Sequence, residues 1–167
     1  MHLPEQVYTI AELLHDHGYA TAHIGKWNLG TGMVRGPQGQ GFDINIGGYR
    51  GGVESYYAPY SKELPGLKDA PPGEYLTDRL NAEALQFVRQ HRQQPFFLYL
   101  SHFAPHFPIQ APHETVEKYE KKRDTHCGKN PVLRYCEMTS INPEYAAMVE
   151  HIDSGVAALR DVLREEH

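Results

Sequence analysis

Gly18-Tyr19-Ala20-Thr21-Ala22-His23-Ile24-Gly25-Lys26-Trp27-Asn28-Leu29-Gly30 is the stretch that decides the fold. Tyr19 to Ile24 reads as a buried strand, with Gly18 before it and Gly25 after it. A lysine and the single tryptophan of the chain follow at once, in a loop closed by Gly30. The C-terminal ends of strands are where α/β proteins carry their ligand-binding loops, so the run predicts a strand whose end presents Lys26.

Working outward, Thr9-Ile10-Ala11-Glu12 reads as a capping box, with Tyr8 and Leu13 at hydrophobic-staple positions. The helix it opens is predicted to run to about His17, where Gly18 supplies a left-handed terminus. Residues 30–74 hold most of the glycines and no sustained period, which predicts an irregular excursion around a short strand near Phe42 to Ile46. Leu76, Leu80, Ala84, Phe87 and Val88 form one helical stripe, ending near Gln90 to Arg92.

Pro95-Phe96-Phe97-Leu98-Tyr99-Leu100-Ser101 is continuously apolar rather than alternating, which predicts a central parallel strand covered on both faces. Three prolines in His102 to Pro112 exclude regular helix, so a second loop lies at a strand end. A short charged helix is expected over 113–122 and a loop over 123–141. Asn142 as cap and Pro143 at the first helical position then open a last helix. Tyr145, Met148, Val149, Ile152, Val156, Leu159 and Leu163 are its expected buried stripe, and Gly155 reads as a mild defect of roughly 1 kcal/mol relative to alanine. The pattern is that of an α/β layered domain.

The 167 residues carry a net charge of −5, which gives no basic face for nucleic acid, and no apolar run long enough to span a bilayer. The opening Met1-His2-Leu3-Pro4-Glu5 is not a signal peptide. Cys127 and Cys136 lack Cys-x-x-Cys spacing, which argues against a zinc knuckle or redox motif and leaves a disulfide between them open. His102 and His106 have metal-ligand spacing for a helix, but Pro105 and Pro108 break that helix and no acidic base accompanies the pair. The other histidines read as scattered and solvated.

The opening stretch closely resembles the second signature of the sulfatase family, Gly-Tyr-x-Thr-x-x-x-Gly-Lys-Trp-His-Leu-Gly, with Asn28 in place of the usual histidine. Similarity continues through Thr-Ile-Ala-Glu-Leu-Leu before it, Gly41-Phe42-Asp43 after it, Pro95 to Pro112, and Tyr145 to Asp153. The resemblance implies part of an alkaline-phosphatase-like α/β/α sandwich with a mostly parallel sheet, one partial catalytic domain over 1–167, truncated at both ends. It also implies a sulfate ester substrate, small molecule or glycan, and relatives that are often exported.

Family members use a formylglycine, made from Cys or Ser in Cys/Ser-x-Pro-x-Arg, and a bound calcium that neutralises the sulfate oxygens. By resemblance Lys26 contacts sulfate and His106 of the His-x-Pro motif lies near the leaving-group oxygen as an acid, while His102, with a zinc site disfavoured, reads as structural. Asn28 stands where a histidine helps take a proton from the sulfated hydrate, and an amide cannot act as that base. Neither Cys127 nor Cys136 lies in a formylglycine-forming sequence, and no residue matches a calcium ligand, so this chain is expected to bind neither group and to be inactive alone. A phosphoesterase or phosphonate hydrolase of the same superfamily is one alternative. A non-catalytic remnant that binds sulfated glycans through Lys26 and the tyrosine-rich 48–60 segment is another.

Overall fold

A computed structural model describes residues 2–4, 6–30, 32–60, 64–127 and 142–165. The cysteine pairing involves residues outside that set. In chain order the elements are α1 (Ile10–Asp16), β1 (Ala20–Gly25), α2 (Gly32–Arg35), a 3-10 turn (Pro37–Gln40), β2 (Ile44–Ile46), α3 (Leu76–His91), β3 (Phe96–Ser101), α4 (His113–Cys127) and α5 (Pro143–Glu165).

Local chemistry sets the helix starts. Thr9 Oγ1 accepts the Glu12 N–H at 3.1 Å while the Glu12 carboxylate accepts the Thr9 N–H at 2.7 Å, completing the capping box of α1. The staple does not close: Tyr8 and Leu13 are both exposed, and the Tyr8 hydroxyl donates to Asp16 instead. At α5, the Asn142 side-chain oxygen accepts from Glu144 N at 2.8 Å and Tyr145 N at 3.2 Å, which is the expected cap. Helix α4 continues to Cys127 rather than stopping at 122, because no glycine or proline interrupts it before Gly128.

The three strands are all parallel, in the order β2-β1-β3. β1 is therefore the central strand, and β3, expected to be central and covered, is an edge among the described strands, with Tyr99 46% exposed. Alternation along β1 sends Ala22 and Ile24 toward α3 and Thr21 and His23 to the opposite face. The α3 face holds the main core, in which all five predicted α3 stripe residues are buried, and α5 packs on the outside of α3 and α4. The other face is a smaller cluster of Ala11, Trp27 and Phe42 with Phe97 and Leu29.

Helix α5 corrects one expectation. Met148, Gly155 and Val162 are buried, with Ile152 and Leu159 packed at their edge, a spacing of alternating four and three residues along one seam. Tyr145, Val149, Val156 and Leu163 form a second apolar line that is exposed. The helix has two adjacent apolar rows and only one faces α3, which periodicity alone does not distinguish.

Candidate functional site

Lys26 follows β1 directly, and its position is fixed by the neighbouring strand. Its N–H donates to the Ser101 carbonyl at 2.7 Å, and its own carbonyl accepts from the Ser101 hydroxyl at 2.6 Å. Gly25, paired with Ser101 in the register, brings the two backbones together. Trp27 is buried and donates from its indole nitrogen to the Arg35 carbonyl at 2.9 Å, so the tryptophan pins the loop rather than shielding a lysine stem.

Asn28 is the one described non-glycine residue with positive φ, at 59°. Asparagine and histidine are among the few side chains enriched in this left-handed region, so the backbone here suits either residue. Asn28 is exposed, and its N–H donates to the Tyr49 carbonyl at 3.4 Å.

His106 is exposed on the loop after β3, between the cis bonds Ala104–Pro105 and Phe107–Pro108. Its Nδ1 lies 3.1 Å from the Phe107 carbonyl oxygen. A carbonyl only accepts, so Nδ1 donates in this contact and Nε2 is left for another partner. His102 turns the other way and is partly buried, with Nε2 2.7 Å from Asn81 Oδ1, and burial lowers its pKa. Asn81 in turn donates to the His151 carbonyl at 2.9 Å. The two histidines thus serve different partners, and no three His, Cys, Asp or Glu residues converge among the described residues.

Lys26, Asn28 and His106 therefore lie on two loops at the same end of adjacent parallel strands. The segment 49–56 ties those loops together. It bonds to Asn28 through Tyr49, while the Tyr56 hydroxyl donates to the His106 carbonyl at 3.0 Å and Gln110 Oε1 accepts the Tyr56 N–H at 2.8 Å. Tyr56 and Tyr60 are core residues, so they offer no face to a sugar; burial raises the pKa of both.

Two features of β1 escaped the sequence reading. Asp43 latches β1: its carboxylate accepts the Thr21 N–H at 3.0 Å, and its own N–H donates to the Thr21 hydroxyl at 2.9 Å. His23 is fully buried, contrary to the expectation of solvated histidines, with Trp27 and Phe42 edge-on to its ring and Tyr99 tilted against it. Its Nε2 lies 3.3 Å from Ser101 Oγ, and because that hydroxyl already donates to Lys26 it accepts here. A chain therefore runs from His23 through Ser101 to the Lys26 backbone. The one signal in the sequence was the period-2 relation of His23 to Thr21, which puts the two on the same face of β1.

Burial pushes the His23 pKa from 6.5 down to about 4, against a smaller upward pull from the Lys26 backbone. Between these values the unfolded chain binds a proton that the folded chain excludes, so stability falls as pH falls through that window. Urea unfolding followed by Trp27 fluorescence is expected to show about 2 kcal/mol less stability at pH 5 than at pH 7 from this ring. Burial of His102 adds to the loss in the same direction. The His23→Leu chain should lose the His23 share of the pH dependence, and an unchanged difference would contradict this assignment.

A sulfatase family model matches residues 2–167. Among curated proteins, an uncharacterised sulfatase of Schizosaccharomyces pombe is 31% identical over 71% of this chain and 24% of its own length. Human N-acetylgalactosamine-6-sulfatase is 27% identical over 99% of this chain and 31% of its own. The crystal structure of Ps i-CgsB in complex with k-i-k-neocarrahexaose superposes with a TM-score of 0.75 at 29% identity, over 99% of this chain and 38% of that one. The chain thus spans less than a third of the curated relatives it matches.

Proposed function

The chain belongs to the sulfatase family, and from that premise we propose that its residues form the Lys26 and His106 side of a sulfate-ester site in a sulfuric ester hydrolase. The alkaline-phosphatase-like fold of sulfatases and the parallel α/β sheet described above agree. The observation that carries the reading is the pairing of Lys26 with Ser101, which fixes the lysine backbone at the strand end shared with the His106 loop. In this reading Lys26 binds the sulfate oxygens by charge-assisted hydrogen bonds, and protonated His106 offers Nε2–H to the departing oxygen. Asn28 positions rather than accepts a proton.

Calcium and formylglycine accompany the family, and they supply oxygen-charge neutralisation and the nucleophile. The strand-end loops offer cationic and neutral side chains with one carboxylate, Glu54, which does not fit a hard, oxygen-ligated divalent ion. In this reading the 167 residues form one partial catalytic domain. The saccharide named for the human relative and the neocarrahexaose bound to Ps i-CgsB support a sulfated saccharide as substrate.

The test is a titration of inorganic sulfate into the isotopically labelled chain. Two or three charge-assisted hydrogen bonds predict a dissociation constant on the order of 1 mM, with Lys26 and His106 signals shifting. Lys26→Ala should abolish those shifts; shifts that persist in it, or never occur, would remove the reading. Tighter binding of phosphate under the same conditions would favour a phosphoesterase.

A further inference from the structure

The loops at the C-terminal end of the sheet have a charge balance unlike the rest of the chain. Residues 26–30, 47–60 and 101–112 contain Lys26, Arg50, His102 and His106 against a single carboxylate, Glu54, in a chain with 21 Asp and Glu residues. His102 is committed to Asn81. Arg50 is exposed, and its place is set by its neighbours on both sides. One residue before it, Tyr49 accepts from Asn28 on the Lys26 loop. Two residues after it, Gly52 lies against His106, where a Cβ would be 3.8 Å from Nδ1 and 3.8 Å from the Phe107 carbonyl oxygen. The strap that carries Arg50 therefore spans the gap between the two loops that carry Lys26 and His106.

We propose that Arg50 is a second anion subsite beside the Lys26–His106 site, and that the substrate is a saccharide bearing a further sulfate or carboxylate next to the ester being cleaved. This rests on the sulfate-ester reading above and adds the substrate class to it. A guanidinium engages sulfate or carboxylate through two parallel N–H donors, which a lone hydroxyl on a neutral sugar does not match. Gly51 and Gly52 put no side chain between Arg50 and His106, and the space a Cβ would occupy at Gly51 is open. Phe107, 75% exposed beside His106, supplies an apolar face for such a ring.

The experiment compares lactose carrying one sulfate with lactose carrying two, titrated into the 167-residue chain. The disulfated sugar is expected to bind about tenfold more tightly at low salt, since one charge-assisted bidentate contact corresponds to roughly that factor. In Arg50→Gln the ratio should fall to near one, and Arg50→Lys should recover part of it. A ratio near one in the native chain, or a ratio that survives Arg50→Gln, overturns the proposal while Lys26-dependent binding leaves the sulfate-ester reading standing. Binding that ignores Lys26→Ala overturns that reading instead, and binding of neither sugar overturns both. Carboxylated lactose in a third titration separates a preference for sulfate from a preference for any anion.

Discussion

Alanine at Gly25 is expected to lower the unfolding free energy by more than about 3 kcal/mol and to release Lys26 from Ser101. Gly25 has φ +112°, outside the range that side-chain-bearing residues adopt readily. A methyl group there would also overlap the Ser101 carbonyl group, with its carbon at 2.6 Å. The obstacle is backbone of the adjacent strand, which moves only if the β1–β3 register opens. The same carbonyl accepts the Lys26 N–H, so the site is damaged together with the fold. Urea melts give the stability, and hydrogen exchange at the Lys26 amide gives the local effect. A variant within 1 kcal/mol of the parent with a protected Lys26 amide would show that the strands tolerate the group.

The second large effect reverses an ordinary rule. Gly155 lies inside α5, where alanine normally gains about 1 kcal/mol. Here Gly155→Ala is expected to destabilise by roughly 2–4 kcal/mol, because the added methyl would coincide with the Asn81 side-chain amide on α3. Asn81 is not free to yield. It is 7% exposed, accepts from His102 Nε2–H and donates to the His151 carbonyl, so displacing it strands several buried polar groups. The double variant Asn81→Ala, Gly155→Ala should be less destabilised than the sum of the singles, a positive coupling that a simple helix-propensity effect would lack. An alanine variant more stable than the parent would show that the α3–α5 contact is looser than described.

The reading of Gly155 as a defect failed for a physical reason. Propensity describes a residue in an isolated helix, whereas this glycine stands against the Asn81 side chain of a second helix. A similar limit explains α5 as a whole. Its seven expected stripe positions are apolar in sequence, yet Val156 is 55% exposed while Gly155 beside it is buried, because only one of two adjoining rows meets α3. β3 shows the same at the level of the sheet: its continuous apolar run led to a central strand, and the described strands leave it at the edge. By contrast the Thr9 capping box and the Asn142 cap are as read, since each depends on residues within one turn, and the α3 stripe is as read because its single apolar row is the one that meets the core.

The site divides along the same line. That Lys26 follows a strand, and that His106 lies on a proline-rich loop after another, was legible from local punctuation by Gly25, Pro105 and Pro108. Neither the burial of His23 nor its link through Ser101 to Lys26 was legible, because the residues are 78 positions apart in the Ser101–His23 contact and meet only when β1 and β3 pair.

The sequence by itself determined the order and type of the longer elements, the helix caps, the family and the loops that bear the candidate residues, but not the short helix Gly32–Arg35 or the 3-10 turn Pro37–Gln40. Those features follow from backbone preferences and side-chain contacts over a few residues, which folding elsewhere does not alter. The tertiary structure alone decided which apolar row of α5 is covered, why a glycine must stand at 155, that His23 is neutral and buried, and that Arg50 lies on the strap between the Lys26 and His106 loops. Each of these is a matter of which distant surfaces meet, and burial, desolvation and steric exclusion come into force only when they do.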